Sequence, residues 1–226
     1  MNSLNFEEAQ QTYRDIFPNS PFFETWIPED HFLSALRFED NFSITRRGEK
    51  IYGTAFGEDP LIDSSWEGFS IESKGVKKLT PEFKVVDEWD CYWAPAIKGE
   101  ILPVRVSSDD EIENFLKFHA PQSSVFPGNE EIVNWIEVFR GEKLVGVAAL
   151  CRWQSGKVVV SSVATHTEYR GQGVGRELMG KCLSATYGLG EKFLSLGVMH
   201  ANIAAHRLYQ SMGFTLMHNF TYCERR

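Results

Sequence analysis

Val163-Ala-Thr-His-Thr-Glu-Tyr-Arg-Gly-Gln-Gly-Val-Gly-Arg176 is the stretch of this 226-residue chain whose reading decides the fold. It joins the end of an apolar run, 157–164, to a glycine-rich turn, and a helical pattern begins directly after the turn. Gly171, Gly173 and Gly175 lift the usual limits on backbone direction, so successive N–H groups, those of Gln172 and Val174 included, can face one concavity. Together with the positive end of the following helix, those amides suit a pyrophosphate. Arg176, in the first helical turn, is placed to add a charge-assisted phosphate contact. Two other phosphate-binding arrangements share this physics. A Rossmann turn follows the first strand of a βαβ unit and has an acidic residue about twenty positions on, whereas this turn follows the fourth strand of a mostly antiparallel run. A P-loop needs Gly-Lys-Ser/Thr, which the segment lacks.

On the N-terminal side of the turn, 101–106 alternates like a strand, and Asp109 and Asp110 then open a helix with Ile112, Phe115, Leu116 and His119 on one face. Segments 134–139 and 143–150, joined at Arg140-Gly141-Glu142, read as a β-hairpin, and Ser155-Gly156 turns the chain into the strand 157–164. Beyond the turn come a helix to about Tyr187, a strand over 192–198, a helix over 202–212 and a closing strand over 214–223. The order β-α-β-β-β-α-β-α-β predicts an α/β fold with a mixed sheet.

A second block, Asn202-Ile-Ala-Ala-His-Arg-Leu-Tyr-Gln-Ser-Met-Gly-Phe214, starts about thirty residues after the turn. Asn202 and Tyr209 are seven residues apart, two helical turns, and so share a face. With both blocks in view, the region of roughly 100–223 resembles the GNAT N-acetyltransferases. Their motif Gln/Arg-x-x-Gly-x-Gly/Ala is matched by Arg170, Gly173 and Gly175, and their Asn-x-x-Ala-x-x-Leu-Tyr-x-x-x-Gly-Phe segment by the second block. The resemblance implies a GNAT-type acyl-CoA N-acyltransferase fold with an additional N-terminal region, and acetyl-CoA as the acyl donor. It implies that Asn202 hydrogen-bonds the cofactor and that Tyr209 protonates the departing CoA thiolate, a role that suits a phenol protonated at neutral pH. Val163, Ala164 and Thr165 correspond to the end of the family's splayed strand, whose backbone groups pair with the pantetheine arm and polarise the thioester oxygen.

The general base departs from the pattern. Some relatives carry a glutamate five residues before the motif asparagine, and here that position is Gly197. His166, Glu168 and His200 are the available substitutes, with His200 taken as the catalytic candidate beside Tyr209. A water chain serving in place of a dedicated base stays open. His200 and His206 suggest a metal pair without an evident third ligand, so no metal is expected.

The first hundred residues are rich in aromatics and proline, with strand-like stretches at 41–47, 50–56, 68–73 and 83–93. Arg47-Gly-Glu-Lys-Ile-Tyr-Gly-Thr-Ala55 matches Arg140-Gly-Glu-Lys-Leu-Val-Gly-Val-Ala148 at six of nine positions, offset by 93. Either two hairpins chose the same turn independently, or 1–98 is a degenerate GNAT-like repeat beside an acetyltransferase domain at 99–226. In the second case, 41–56 and 134–150 should superpose with their turns coincident. Nothing between 56 and 100 resembles the glycine motif, so this region would have lost its cofactor site.

A net charge of -8 argues against a nucleic-acid partner and favours a cationic acceptor, a primary amine of a small molecule or peptide. The composition, 42% hydrophobic and 24% charged, is that of a globular protein. No apolar run approaches a membrane span, and four scattered cysteines read as reduced thiols, so the expectation is a cytoplasmic monomer or homodimer. Two functional alternatives remain beside amine acetylation: a non-catalytic acyl-CoA sensor, and an acyltransferase using another acyl group.

Overall fold

The computed structural model describes residues 3–99 and 107–226, and the strand expected at 101–106 lies outside the described residues. The chain divides into two compact units, neither of them continuous. Met1–Tyr92, Gly197–Ile203 and Leu216–Arg226 make the first, and Trp93–Leu196 with Ala204–Thr215 the second.

The first unit contains β1 (Ser3–Leu4), α1 (Phe6–Ile16), α2 (Phe22–Trp26), β2 (Phe32–Phe38), β3 (Asn41–Arg47), β4 (Ile51–Phe56), β5 (Gly68–Glu72) and most of β6 (Phe83–Pro95). Asn5 starts α1 with a capping box: its side chain accepts from Glu8 N while the Glu8 carboxylate accepts from Asn5 N. The helix thereby turns Ala9 and Tyr13 into a core with Phe22, Phe23, Phe42, Ile44 and Phe56. Strands β2, β3 and β4 form an antiparallel meander, β4 pairs with β5 in parallel, and β5 pairs antiparallel with β11 (Thr215–Arg225).

The second unit holds α3 (Asp109–His119), β7 (Ile132–Arg140), β8 (Lys143–Arg152), β9 (Val158–Thr165) and α4 (Val174–Gly188). It also holds the start of β10 (Phe193–Met199) and most of α5 (Ile203–Ser211). Ser108 caps α3 by accepting from Glu111 N, and Ile112, Phe115, Leu116 and His119 are its buried residues, the face expected from sequence. β7, β8 and β9 are antiparallel neighbours, and β9 pairs with β10 in parallel. The mixed α/β architecture therefore stands. All four cysteines are free and buried.

The two units share a strand plan, a three-stranded antiparallel meander followed by a parallel partner. The Arg-Gly-Glu-Lys echo, however, falls out of phase with that plan. Its first copy joins the second and third strands of one meander, and its second copy joins the first and second strands of the other. The turns also close differently. Arg47 pairs with Ile51, whereas Arg140 pairs with Lys143 across a shorter loop in which Gly141 takes φ +60°. The match at offset 93 is therefore one of turn chemistry; strand order makes β4 the counterpart of β9, whereas the echo aligns β4 with β8. No helix separates β4 from β5, whereas α4 separates β9 from β10.

A polar chain is buried inside the first unit. The Tyr13 hydroxyl donates to His218 Nε2 at 2.5 Å, and His218 Nδ1–H donates to Glu72 Oε1 at 2.9 Å. Glu72 Oε2 also accepts from Gly57 N at 2.8 Å. Burial lowers the His218 pKa against the pull of Glu72. For Glu72, burial acts upward, but the bonds from His218 and Gly57 outweigh it and lower the carboxyl. A depressed carboxylate stabilises the fold above the ordinary carboxylate range and loses that contribution as pH falls through its own value. Glu72→Ala strands two buried donors and is expected to cost about 2–4 kcal/mol, read as a lower urea midpoint at pH 7; wild type and variant should converge in acid.

Candidate active site

Strand β9 is bent where the site begins. Its register against β8 passes from Ala149↔Ser161 to Val147↔Ala164, so Ser162 and Val163 face Ala148 alone. This is a β-bulge, and Ser162 takes φ +51° to make it. A left-handed non-glycine residue is strained, and the side chain offsets that strain. Ser162 Oγ donates to Val125 O at 2.7 Å and accepts from Val125 N at 3.0 Å. On its other edge β9 meets β10 at Ser195↔Val159. Val163, Ala164 and Thr165 lie past that pair, with Ala164 and Thr165 held by Val147 and Gly146 of β8. An extended amide chain can add to such an edge as a strand does.

The glycine turn follows, and its glycines serve different ends. Gly171 (φ +76°) and Gly173 (φ +81°) would have open space around a Cβ, so backbone direction alone requires them. Gly173 is the N-cap of α4, whose first-turn amides have no acceptor within the helix. Gly175 is needed for space, since a Cβ there would stand 3.0 Å from Leu208 Cδ2.

Both arginines of the motif are engaged in bracing. Arg170 Nη2 donates to His119 O at 2.9 Å, and Gln172 Nε2 to Glu168 O at 2.8 Å. Arg176 Nη2 donates to Ser211 Oγ at 2.9 Å and so ties α4 to α5. In this arrangement Gly173, Val174 and Gly175 offer backbone donors, the Gln172 N–H is already given to Tyr169 O at 3.4 Å, and Arg170 and Arg176 hold the frame. Two of the substitute bases have local duties as well. His166 Nδ1 accepts from Glu168 N at 3.3 Å as the cap of the 3-10 turn Thr167–Tyr169, and Glu168 pairs with Lys143 at 3.2 Å.

Tyr209, on α5, is 5% exposed and packs against Phe214 at 5.7 Å. Burial, helped by Cys182, pushes its phenol well above the ordinary tyrosine value, so it stays protonated at any physiological pH. Asn202 is exposed one residue ahead of α5, its N–H donating to Met199 O at 2.9 Å.

His200 and Asn202 lie in the segment Gly197–Ile203, which belongs to the first unit. There His200 Nδ1 meets Asp90 Oδ2 at 2.9 Å, and Asp90 Oδ1 accepts from Asn219 Nδ2 at 2.6 Å. The Asp90 side chain is buried and that of His200 is 57% exposed, so a fixed carboxylate orients a largely exposed imidazole. The hydrogen bond and charge of Asp90 raise the His200 pKa. Gly197, the position of the missing glutamate, lies against Trp89, whose ring a Cβ would touch at 3.5 Å. Asp90 and Asn219 escaped the sequence reading. The one signal was an aspartate set in the apolar stretch Trp89-Asp-Cys-Tyr-Trp-Ala94.

A raised histidine pKa means the pair contributes while His200 is protonated, and that contribution fades as pH rises through its own value. Asp90→Asn keeps the Asn219 bond and removes the charge. The His200 ring signal in an NMR titration should then shift its midpoint downward toward the ordinary histidine value; an unmoved midpoint would refute the assigned pairing.

Residues 103–214 match the family model described as Acetyltransferase (GNAT) family. No curated protein matches in sequence. Solved structures with the same fold include a GCN5-related N-acetyltransferase from Kribbella flavida, at 11% identity and TM-score 0.55, covering 100% of this chain and 96% of that one. An acetyltransferase from the GNAT family from Colwellia psychrerythraea gives 10% identity and TM-score 0.51, with 100% and 99% covered. A GCN5-related N-acetyltransferase from Sphaerobacter thermophilus gives 12% and 0.52, with 82% and 76% covered. At these identities the structures speak for the fold, and they do so across the first unit as well as the second. Among the described residues no helix is long and apolar enough to cross a membrane.

Proposed function

Because the chain belongs to the GNAT acetyltransferase family, we propose that it moves an acetyl group from acetyl-CoA to a primary amine by direct attack. The observation that carries this reading is the bulged end of β9 leading into a turn of left-handed glycines at the head of α4. That succession supplies an edge for the pantetheine amides and a set of N–H donors for the pyrophosphate.

In the reaction the amine nitrogen attacks the thioester carbonyl carbon, and the carbon–sulfur bond then breaks. Backbone donors at 163–165 stabilise the charge that develops on the carbonyl oxygen. Tyr209, kept protonated by burial, gives its proton to the CoA thiolate. A water chain takes the proton from the attacking amine. The negative net charge favours a cationic acceptor such as an amine.

Thiol release from acetyl-CoA, run against polyamines, amino acids, aminoglycosides and peptides, tests the reading directly. Tyr209→Phe should lower kcat by about 10–100-fold with KM for acetyl-CoA little changed. Gly173→Ala, strained at φ +81°, should weaken acetyl-CoA binding by about tenfold. Tight binding without turnover on any acceptor would favour the acyl-CoA sensor, and absence of binding would end the proposal.

A further inference from the structure

The turn that presents the glycine loop is held by two histidines, His119 at the end of α3 and His166 just ahead of the turn. The N–H of Thr167 donates to His119 Nδ1 at 3.2 Å, and the next N–H, of Glu168, donates to His166 Nδ1 at 3.3 Å. The first amides of a 3-10 turn lack partners within it, and here two imidazoles supply them. The rings lie with centroids 4.1 Å apart, and Phe115 packs on His119 at 4.6 Å. The backbone of His119 is used as well, since its carbonyl, at the end of α3, accepts from Arg170 Nη2. One residue therefore grips the chain at Thr167 and at Arg170, the two ends of the turn that leads into Gly171.

A ring nitrogen accepts a hydrogen bond only while it carries no proton. Protonation of His119 at Nδ1 would set a donor against the Thr167 N–H and place a cation beside Arg170. We propose that His119 is a positioning residue for acyl-CoA, its neutral imidazole latching the 167–170 turn in the shape the pyrophosphate needs and releasing it on acidification. The inference rests on the acyl-CoA reading of the glycine turn given above.

The charged surroundings agree with a latch that is closed at neutral pH. Burial first, then His166, Arg170 and Lys143, lower the His119 pKa, and only Glu168 opposes them. A lowered value keeps the ring neutral through the ordinary histidine range, and the latch opens as pH falls below it. Added positive charge by itself would act in the other direction, drawing the phosphates closer. The sign of the effect thus separates a latch from simple electrostatics.

Asparagine places its Oδ1 close to the position of Nδ1 and does not titrate, so His119→Asn preserves the acceptor and removes the switch. Calorimetric dissociation constants for acetyl-CoA, measured on the full chain between pH 7.5 and pH 5, provide the test. At pH 7.5, His119→Asn should bind within about twofold of wild type, and His119→Ala about fivefold more weakly, the worth of one hydrogen bond. Toward pH 5 the wild type should weaken about fivefold relative to His119→Asn; titration of the ligand's own phosphate cancels in that ratio. A flat ratio, a wild type that tightens in acid relative to His119→Asn, or a His119→Asn as weak as His119→Ala would each overturn the latch. A wild type that binds no acetyl-CoA at any pH would remove the acyl-CoA reading and the latch with it, whereas binding with a flat ratio removes the latch alone.

Discussion

Ser162 stands at φ +51° in the middle of a strand, and the direction in which β9 ends depends on it. A regular β9 would carry its alternation straight through to Thr165, and its backbone groups would be available for continued pairing with β10. The bulge inserts one residue opposite Ala148 and re-aims the strand past Ser195↔Val159. The left-handed conformation costs roughly 1–2 kcal/mol for an ordinary residue. Two hydrogen bonds between Ser162 Oγ and the backbone of Val125 hold it there. Serine is well suited to this position, because its hydroxyl is at once donor and acceptor. The glycine turn then starts from a strand end whose direction is already set.

The motif residues divide their labour accordingly. Gly171 and Gly173 supply backbone direction, and Gly175 supplies room for Leu208. Arg170 and Arg176 brace the loop against His119 and Ser211. Because the helix N-terminus and its amides already provide a positive, donating surface, the side-chain cations can be used to keep that surface in place. The first unit repeats the strand plan without this turn, and β4 reaches β5 without a helix. Its interior is occupied by aromatic packing around Tyr13, His218 and Glu72.

Two histidine–carboxylate pairs of the same geometry behave oppositely. His218–Glu72 and His200–Asp90 are each 2.9 Å apart at Nδ1. The His218 side chain is 1% exposed, and the loss of hydration outweighs the neighbouring charge, so its pKa falls. The His200 side chain is 57% exposed, little hydration is lost, and the charge of Asp90 raises its pKa. Burial of the imidazole thus decides between a structural link and a titrating base, and only the fold sets that burial.

Local chemistry was legible in the linear chain where it repeats at the period of an element. The face of α3, the β7–β8 hairpin, β9, α4 and the turn at 171–175 all follow from periodicity and glycine placement. β2 escaped, because Phe32-Leu-Ser-Ala-Leu-Arg-Phe38 lacks clean alternation and is a strand through its pairing with β3. The Arg-Gly-Glu-Lys echo left two readings open for a related reason: a turn sequence records local closure and not which strands it joins. The bulge at Ser162, the union of Asp90 with His200 across 110 residues and the grip of His119 on Thr167 are set by tertiary contact alone. What the sequence by itself determined is the glycine turn at 171–175, because backbone direction at glycine is a local property. What the tertiary structure decided is which side chains brace that turn and which titrate, because partners and burial come from residues distant in the chain.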